Sequence, residues 1–135
     1  MFSTGTIIID RSVEETYEFL ADFSRQLECW DMLHIPDLKY LPADSDETLG
    51  TFEMGRKTQR CEIELYRTRP GAGCVTRVKW DSGELAAEWR VIDAEGRTKL
   101  ELNVEGHGGG LATSAHLRHM AMRILNRLKL LIDKA

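Results

Sequence analysis

The stretch TGTIIIDRSVEETYEFLADFSRQLECW, residues 4–30, decides the fold. It opens with a short apolar strand at residues 7–9 and passes directly into Ser12, three residues ahead of Glu15. Ser-x-x-Glu is a capping box, in which the two side chains satisfy free backbone N–H groups in the first turn of a helix. The residues that continue at helical spacing are Val13, Thr16, Tyr17, Leu20 and Phe23. This pattern predicts a strand, a short helix that begins after Ser12, and a second helical piece that ends at Cys29 and Trp30.

From residue 48 to residue 105 the hydrophobic period changes to two. Alternating apolar and polar residues, separated by turn-forming sequences rich in glycine, are typical of antiparallel strands with one covered face and one solvated face. The inward positions that the alternation predicts are Cys61, Ile63, Leu65, Val78, Trp80, Ala87, Trp89, Val91, Leu100, Leu102 and Val104. Because the separators are short, the strands should form a meander. The acidic segment 42–47 is predicted to be an exposed loop, preceded by a short extended piece at residues 37–41.

The last twenty-five residues return to helical spacing. Their apolar stripe consists of Leu117, Met120, Ala121, Ile124, Leu125, Leu128, Leu131 and Ile132. A stripe this wide must be buried, and the apolar face of the sheet is the partner large enough to cover it. The glycine-rich segment 106–110 is predicted to be a flexible hinge, because glycine has access to the most backbone conformations.

Length and composition narrow the class of protein. A chain of 135 residues fits a single domain, residues 1–135, and its net charge of -4 argues against general nucleic-acid binding. No apolar run approaches the ~20 residues of a transmembrane helix. The three cysteines, Cys29, Cys61 and Cys74, show no metal-ligand spacing. We therefore expect a cytoplasmic protein with reduced thiols and without metal, cofactor, nucleic-acid partner or transmembrane segment; the oligomeric state stays open.

This order of elements resembles the helix-grip fold of the START-like (SRPBCC) superfamily, which includes polyketide cyclase/dehydrase and Bet v 1-like proteins. The matching features are residues 7–17, residues 19–23, Trp30 ahead of Pro36, the pair Gly50 and Thr51, and the long final helix. The resemblance covers essentially the whole chain and implies an α+β fold. In that fold one strand and two short helices precede an antiparallel meander sheet that curves round one long C-terminal helix. A ligand space between sheet and helix is the functional expectation, and none of the matching residues forms a catalytic motif.

Strand parity selects the residues expected to line this space. A hydrophobic or amphipathic small molecule, such as a lipid, should contact Trp30, Phe52, Met54, Arg56, Trp80, Trp89, Leu117 and Met120. Large aromatic side chains commonly line apolar pockets, although they also fill cores. Arg56 would be a polar anchor unless a bulge at Gly55 turns it to solvent. Trp30 and His34, close to Pro36, would form a rim or gate, or Trp30 would plug the end of the sheet.

Two other functions stay open on the sequence alone. A polyketide cyclase/dehydrase-like enzyme would need an inward acid or base, for which only Arg56 and His34 are available. No Ser-His-Asp, Cys-His or paired-carboxylate set is recognisable, so no catalytic residue is assigned. A protein-interaction module would instead use a basic strip on the last helix, formed by Arg118, Met122, Arg123, Asn126 and Arg127.

Overall fold

The structure is a computed structural model that describes residues 2–31, 33–40, 45–54, 57–69, 71–108 and 114–134. Within these ranges only the backbone is described for residues 33–40, 45–46, 48, 52–54, 57 and 114–115. The elements are β1 (Phe2–Ile9), α1 (Val13–Ala21), α2 (Phe23–Leu27), β2 (Leu33–Tyr40), β3 (Ser45–Met54), β4 (Lys57–Arg69), β5 (Gly73–Trp80), β6 (Gly83–Ala94), β7 (Arg97–Gly108) and α3 (Ser114–Asp133). This order confirms the predicted strand, two short helices, run of strands and long C-terminal helix.

The seven strands form one antiparallel sheet in the order β1-β7-β6-β5-β4-β3-β2. Strands β2 to β7 are a six-stranded meander, and β1 pairs with β7 at one edge. The predicted inward positions from Cys61 to Val104 are all buried, which confirms the two faces of β4 to β7. The side chains of Phe52 and Met54, also predicted to point inward, lie outside the described residues. One boundary differs from prediction: β3 begins at Ser45, inside the predicted acidic loop, where Ser45 pairs with Tyr66 of β4.

The predicted hinge at residues 106–110 is wrong for residues 106–108, which are the end of β7. His107 pairs with Glu84 and Gly108 pairs with Gly83, so this segment is part of the sheet. Gly108 has a φ of 66°, and a Cβ at this position would lie 2.4 Å from the carbonyl oxygen of Ser82. Glycine is therefore required here for a close backbone approach and a positive φ. Residues 109–110 lie outside the described residues.

The two short helices begin at side-chain caps. Ser12 Oγ accepts a hydrogen bond from the backbone N–H of Glu15 at 3.1 Å, as the capping box predicted. Asp22 caps α2 by accepting from the backbone N–H of Arg25 at 3.4 Å. The apolar sides of these helices are buried, with Phe19, Leu20, Phe23 and Leu27 in the core. Together α1 and α2 cover part of the apolar face of the sheet.

Helix α3 packs chiefly against β1 and next against β7. Gly5 of β1 permits this contact, because a Cβ there would lie 2.7 Å from Cδ1 of Leu125. The helix thus covers the β1–β7 side of the sheet, and strands β3 to β5 lie beyond its main contacts. Among the described residues no helix is both long enough and apolar enough to cross a membrane.

Candidate functional site

A pocket of about 580 Å³ lies against β3, β4 and β5, away from the strands that α3 covers. Its described walls are residues 49–51, residues 60–62 and residues 79–81. In each segment the middle residue, Gly50, Cys61 or Trp80, is buried on the face of the sheet that carries the core. Small-molecule sites commonly have volumes of roughly 300–1,000 Å³, so this pocket is large enough to hold one.

The strand register explains why space is left at this point of the sheet. Gly50 pairs with Cys61, Trp80 pairs with Gly83, and Gly83 pairs with Gly108. Cys61 of β4 and Trp80 of β5 lie next to Glu62 and Lys79, which form the end pair between these two strands. Gly50, Cys61, Trp80, Gly83 and Gly108 form one row across five strands, and all but Trp80 have no side chain larger than a thiol. The neighbouring rows of the same face instead carry large buried side chains, such as Ile63, Val78 and Trp89.

Trp80 is the aromatic wall of the pocket. Its indole lies over Gly83, where a Cβ would be 2.7 Å from Cζ2 of Trp80 and 2.8 Å from the carbonyl oxygen of His107. No larger residue at position 83 could therefore coexist with the indole in this place. Trp80 is 7% exposed and lines the pocket.

Cys61 is a neutral wall of the same pocket. Burial raises the pKa of its thiol to about 11, so it stays protonated near neutral pH and behaves as a small apolar group. The residues flanking the middle positions are charged or polar for the most part: Thr51, Arg60, Glu62, Lys79 and Asp81. Lys79 Nζ lies 3.9 Å from a carboxylate oxygen of Glu64. Because side chains alternate along a strand, Arg60, Glu62 and Lys79 point to the solvated face, and the core face of the pocket is bordered by Gly50, Cys61 and Trp80.

The structure separates the predicted site residues into two groups. Trp80 lines the pocket, whereas Trp89 and Leu117 are fully buried in the core and Met120 is 6% exposed there. The described pocket walls do not include these last three residues. Their role as ligand contacts remains a prediction that the positions of their side chains do not by themselves support.

Of the remaining predicted residues, Trp30 is fully described, and the side chains of the others lie outside the described residues. Trp30 is 1% exposed at the end of α2, so it belongs to the core and is not an exposed rim. The backbone of His34 is in β2, and Phe52 and Met54 are in β3, but their side chains are outside the described residues. Arg56 lies outside them entirely.

Sequence reasoning missed the residues that create the pocket. The sequence places Gly50 only among the features of the family resemblance and Cys61 only among the predicted inward positions. The signal that could have identified them is a row of small inward residues on neighbouring strands. That row becomes visible only when the register of each strand pair is known.

Two arginines of the predicted basic strip on α3 form hydrogen bonds with other parts of the chain. Arg123 donates from Nε and Nη2 to Oδ2 of Asp31, at 3.1 and 2.7 Å. Arg127 donates from Nε to the carbonyl oxygen of Glu28 at 2.8 Å. These contacts give two of the arginines an internal role, which weakens the hypothesis of a docking surface. In the part of the chain that the structure describes, no group of three or more His, Cys, Asp or Glu side chains could hold a metal ion.

Comparison with known proteins establishes the fold. No family model and no curated protein matches the sequence. Among solved structures, TTHA0849 from Thermus thermophilus is similar with a TM-score of 0.74 at 11% identity, over 99% of this chain and 98% of that one. The Zhui aromatase/cyclase from Streptomyces sp. R1128 has a TM-score of 0.65 at 13% identity, over 99% and 92% of the two chains. Ara h 8.0201 has a TM-score of 0.68 at 9% identity, over 100% and 98%. The protein therefore has the Bet v 1-like helix-grip fold that the sequence predicted.

Proposed function

We propose that this helix-grip protein binds a hydrophobic or amphipathic small molecule in the pocket beside Trp80, on the core face of the sheet. The observation that carries the proposal is the space of about 580 Å³ against Gly50, Cys61 and Trp80. Removing apolar ligand surface from water would supply most of the affinity. Gly50, Cys61 and Trp80 carry no charge at neutral pH, which suits the hydrophobic part of a ligand.

Binding is favoured over catalysis by the chemistry of the described walls. Cys61 is the buried titratable group of the pocket, and burial raises the pKa of its thiol to about 11, which keeps the nucleophilic thiolate scarce at neutral pH. The polyketide cyclase/dehydrase alternative depends on Arg56 and on the His34 side chain, both outside the described residues.

Fluorescence of the three tryptophans can test where a ligand binds. The amphipathic dye 1-anilinonaphthalene-8-sulfonate should change the tryptophan emission of the wild-type protein on titration. The variant Trp80→Phe should lose most of this change, because Trp80 lines the pocket. Trp89→Phe is the matched control and should keep it, since Trp89 is fully buried in the core. Absence of dye binding to the folded wild type, or an undiminished signal in Trp80→Phe, would contradict the proposal.

Filling the pocket provides a second check. Cys61→Phe places a ring in the space beside Trp80 and should weaken dye binding by about 10-fold or more, the equivalent of losing ~1.4 kcal/mol of binding free energy. Cys74→Ala, on the same face of the sheet but in the filled core, should leave the affinity unchanged. Both variants must first show cooperative urea unfolding. Equal affinities for the two folded variants would mean that the dye binds elsewhere.

A further inference from the structure

Position 83 is a glycine at a place where a side chain would have no room. A Cβ there would lie 2.7 Å from Cζ2 and 2.9 Å from Cε2 of Trp80, and 2.8 Å from the carbonyl oxygen of His107. Carbon atoms in favourable contact are about 3.5–4.0 Å apart, so these distances are too short for a side chain. The indole of Trp80 therefore lies directly over Gly83, on the side of β5 that faces β6.

The backbone of Gly83 is held in place by β7. Gly83 pairs with Gly108, and a Cβ at position 108 would collide with the carbonyl oxygen of Ser82, in the turn between β5 and β6. This close approach leaves no gap between the turn and β7. A side chain at position 83 would thus be confined between the His107 carbonyl group and the indole. Of these two, the indole is the group that can rotate about its side-chain bonds.

The pocket lies on the other side of Trp80. Cys61 of β4 and Gly50 of β3 border it, whereas Gly83 belongs to β6. In the strand order β6-β5-β4-β3, Trp80 of β5 stands between Gly83 and these two residues. An indole that lies over Gly83 leaves the volume over Cys61 unfilled. An indole displaced from Gly83 would have this volume as the free space next to it.

We propose that Gly83 determines the size of the pocket, because it allows the indole of Trp80 to lie away from Cys61. The described walls of the pocket do not include Gly83, so it acts through Trp80 as a positioning residue. A side chain at position 83 would push the ring into the pocket, and only smaller ligands would then fit. The effect on ligand affinity rests on the proposed function, whereas the position of the ring can be measured without a ligand.

The reactivity of Cys61 reports the position of the ring without a ligand. Cys61 borders the pocket, so N-ethylmaleimide should label it faster than Cys74, which is fully buried in the core. In Gly83→Ala the displaced indole should cover the Cys61 thiol and slow its labelling about 5-fold, as measured by peptide mapping. A loss of stability would only accelerate labelling, because unfolding exposes every thiol. A slower rate is therefore specific for a covered Cys61.

Two further variants complete the labelling experiment. Gly5→Ala is the matched control, since a Cβ there would also lie 2.7 Å from a side-chain carbon, Cδ1 of Leu125, but under α3. It should not slow the labelling of Cys61. The double variant Gly83→Ala/Trp80→Leu should restore at least the wild-type rate, because leucine is too small to cover the thiol.

Three results of the labelling experiment would overturn the proposal. The first is an unchanged or faster labelling of Cys61 in Gly83→Ala. The second is a slow rate that persists in the double variant, because the indole would then not be the covering group. The third is a Gly83→Ala variant that lacks cooperative urea unfolding, since the displaced indole would then have found no space in the pocket.

Dye affinity tests the effect on the pocket. In titrations with 1-anilinonaphthalene-8-sulfonate, followed by the emission of the dye, Gly83→Ala should bind about 10-fold more weakly than the wild type. The double variant should bind within about 2-fold of Trp80→Leu, because without the indole the new methyl group displaces nothing. Equal effects of Gly83→Ala in both backgrounds would overturn the proposal. If the wild type binds no dye, the proposed function fails, and Cys61 labelling alone decides the role of Gly83.

Discussion

Two tryptophans on neighbouring strands of the same sheet face have different surroundings. Trp89 of β6 pairs with Cys74 and Leu102, and all three are fully buried. Trp80 of β5 pairs with Gly83 and lies in a row of small residues beside a pocket of about 580 Å³. The residue type and the inward direction are the same. The size of the partners across the sheet decides whether an aromatic ring closes a core or borders a space.

The core region around Trp89 and Cys74 also contains buried hydrogen bonds. Gln26 of α2 is fully buried, accepts a hydrogen bond from the hydroxyl of Thr76, and donates to the carbonyl oxygen of Leu20 at 2.7 Å. These bonds hold α2 against β5 at a specific position, because a buried polar group without its partner is costly. The described pocket walls, in contrast, consist of strand segments that no helix covers extensively. The side chains there leave a volume of about 580 Å³ unfilled.

Replacing Trp89 or Trp80 by alanine should show the largest difference in the free energy of unfolding between the two regions. Trp89→Ala should lower the free energy of unfolding by about 3–5 kcal/mol, because it opens a cavity in a filled core. Trp80→Ala should cost at least ~1 kcal/mol less, since its ring already borders empty volume and a smaller new cavity is created. Urea unfolding followed by far-UV circular dichroism measures both. Equal losses of unfolding free energy in the two variants would mean that Trp80 is packed as fully as Trp89.

Enlarging the two cysteines on this face should give a smaller effect. Cys74→Leu should destabilise the protein by about 1–3 kcal/mol, because extra methyl groups overpack a filled site. Cys61→Leu should change stability by less than about 1 kcal/mol, because the added groups enter the pocket. The same urea experiment compares them under one condition. A larger loss for Cys61→Leu than for Cys74→Leu would place the unfilled space elsewhere.

Alkaline pH should reveal the smallest difference between the regions. Burial raises the pKa of the Cys74 thiol to about 12 and that of Cys61 to about 11, from an ordinary value of 9.0. Above pH 9 the unfolded chain binds fewer protons than the native one, so stability that is complete below pH 9 falls as the pH rises toward the folded-state pKa values.

Urea midpoints measured from about pH 8 to pH 11 test this dependence. Cys74→Ala and Cys61→Ala should each lose less stability with rising pH than the wild type. The two variants should differ from one another only above about pH 10, where the two thiols begin to titrate differently. A wild-type stability that does not fall across this range would contradict the burial of these thiols.

Local patterns were sufficient for much of the fold. The period of two identified the inward positions of β4 to β7, and the Ser12 and Glu15 pair identified the start of α1. Strand ends were less predictable, because a partner strand can extend pairing into residues whose composition favours a loop. Ser45 pairs with Tyr66, and Gly108 pairs with Gly83, although acidic residues and glycines surround them. Tertiary context overrides such weak local preferences.

By itself the sequence determined the order of the elements and the face that each one buries, because caps and hydrophobic periods involve residues a few positions apart. Only the tertiary structure decided where the pocket lies. Gly50, Cys61 and Trp80 are brought side by side by strand register, and Arg123 meets Asp31 across 92 positions of sequence. A pocket is volume that the packed side chains leave unfilled, and its place depends on which distant residues meet.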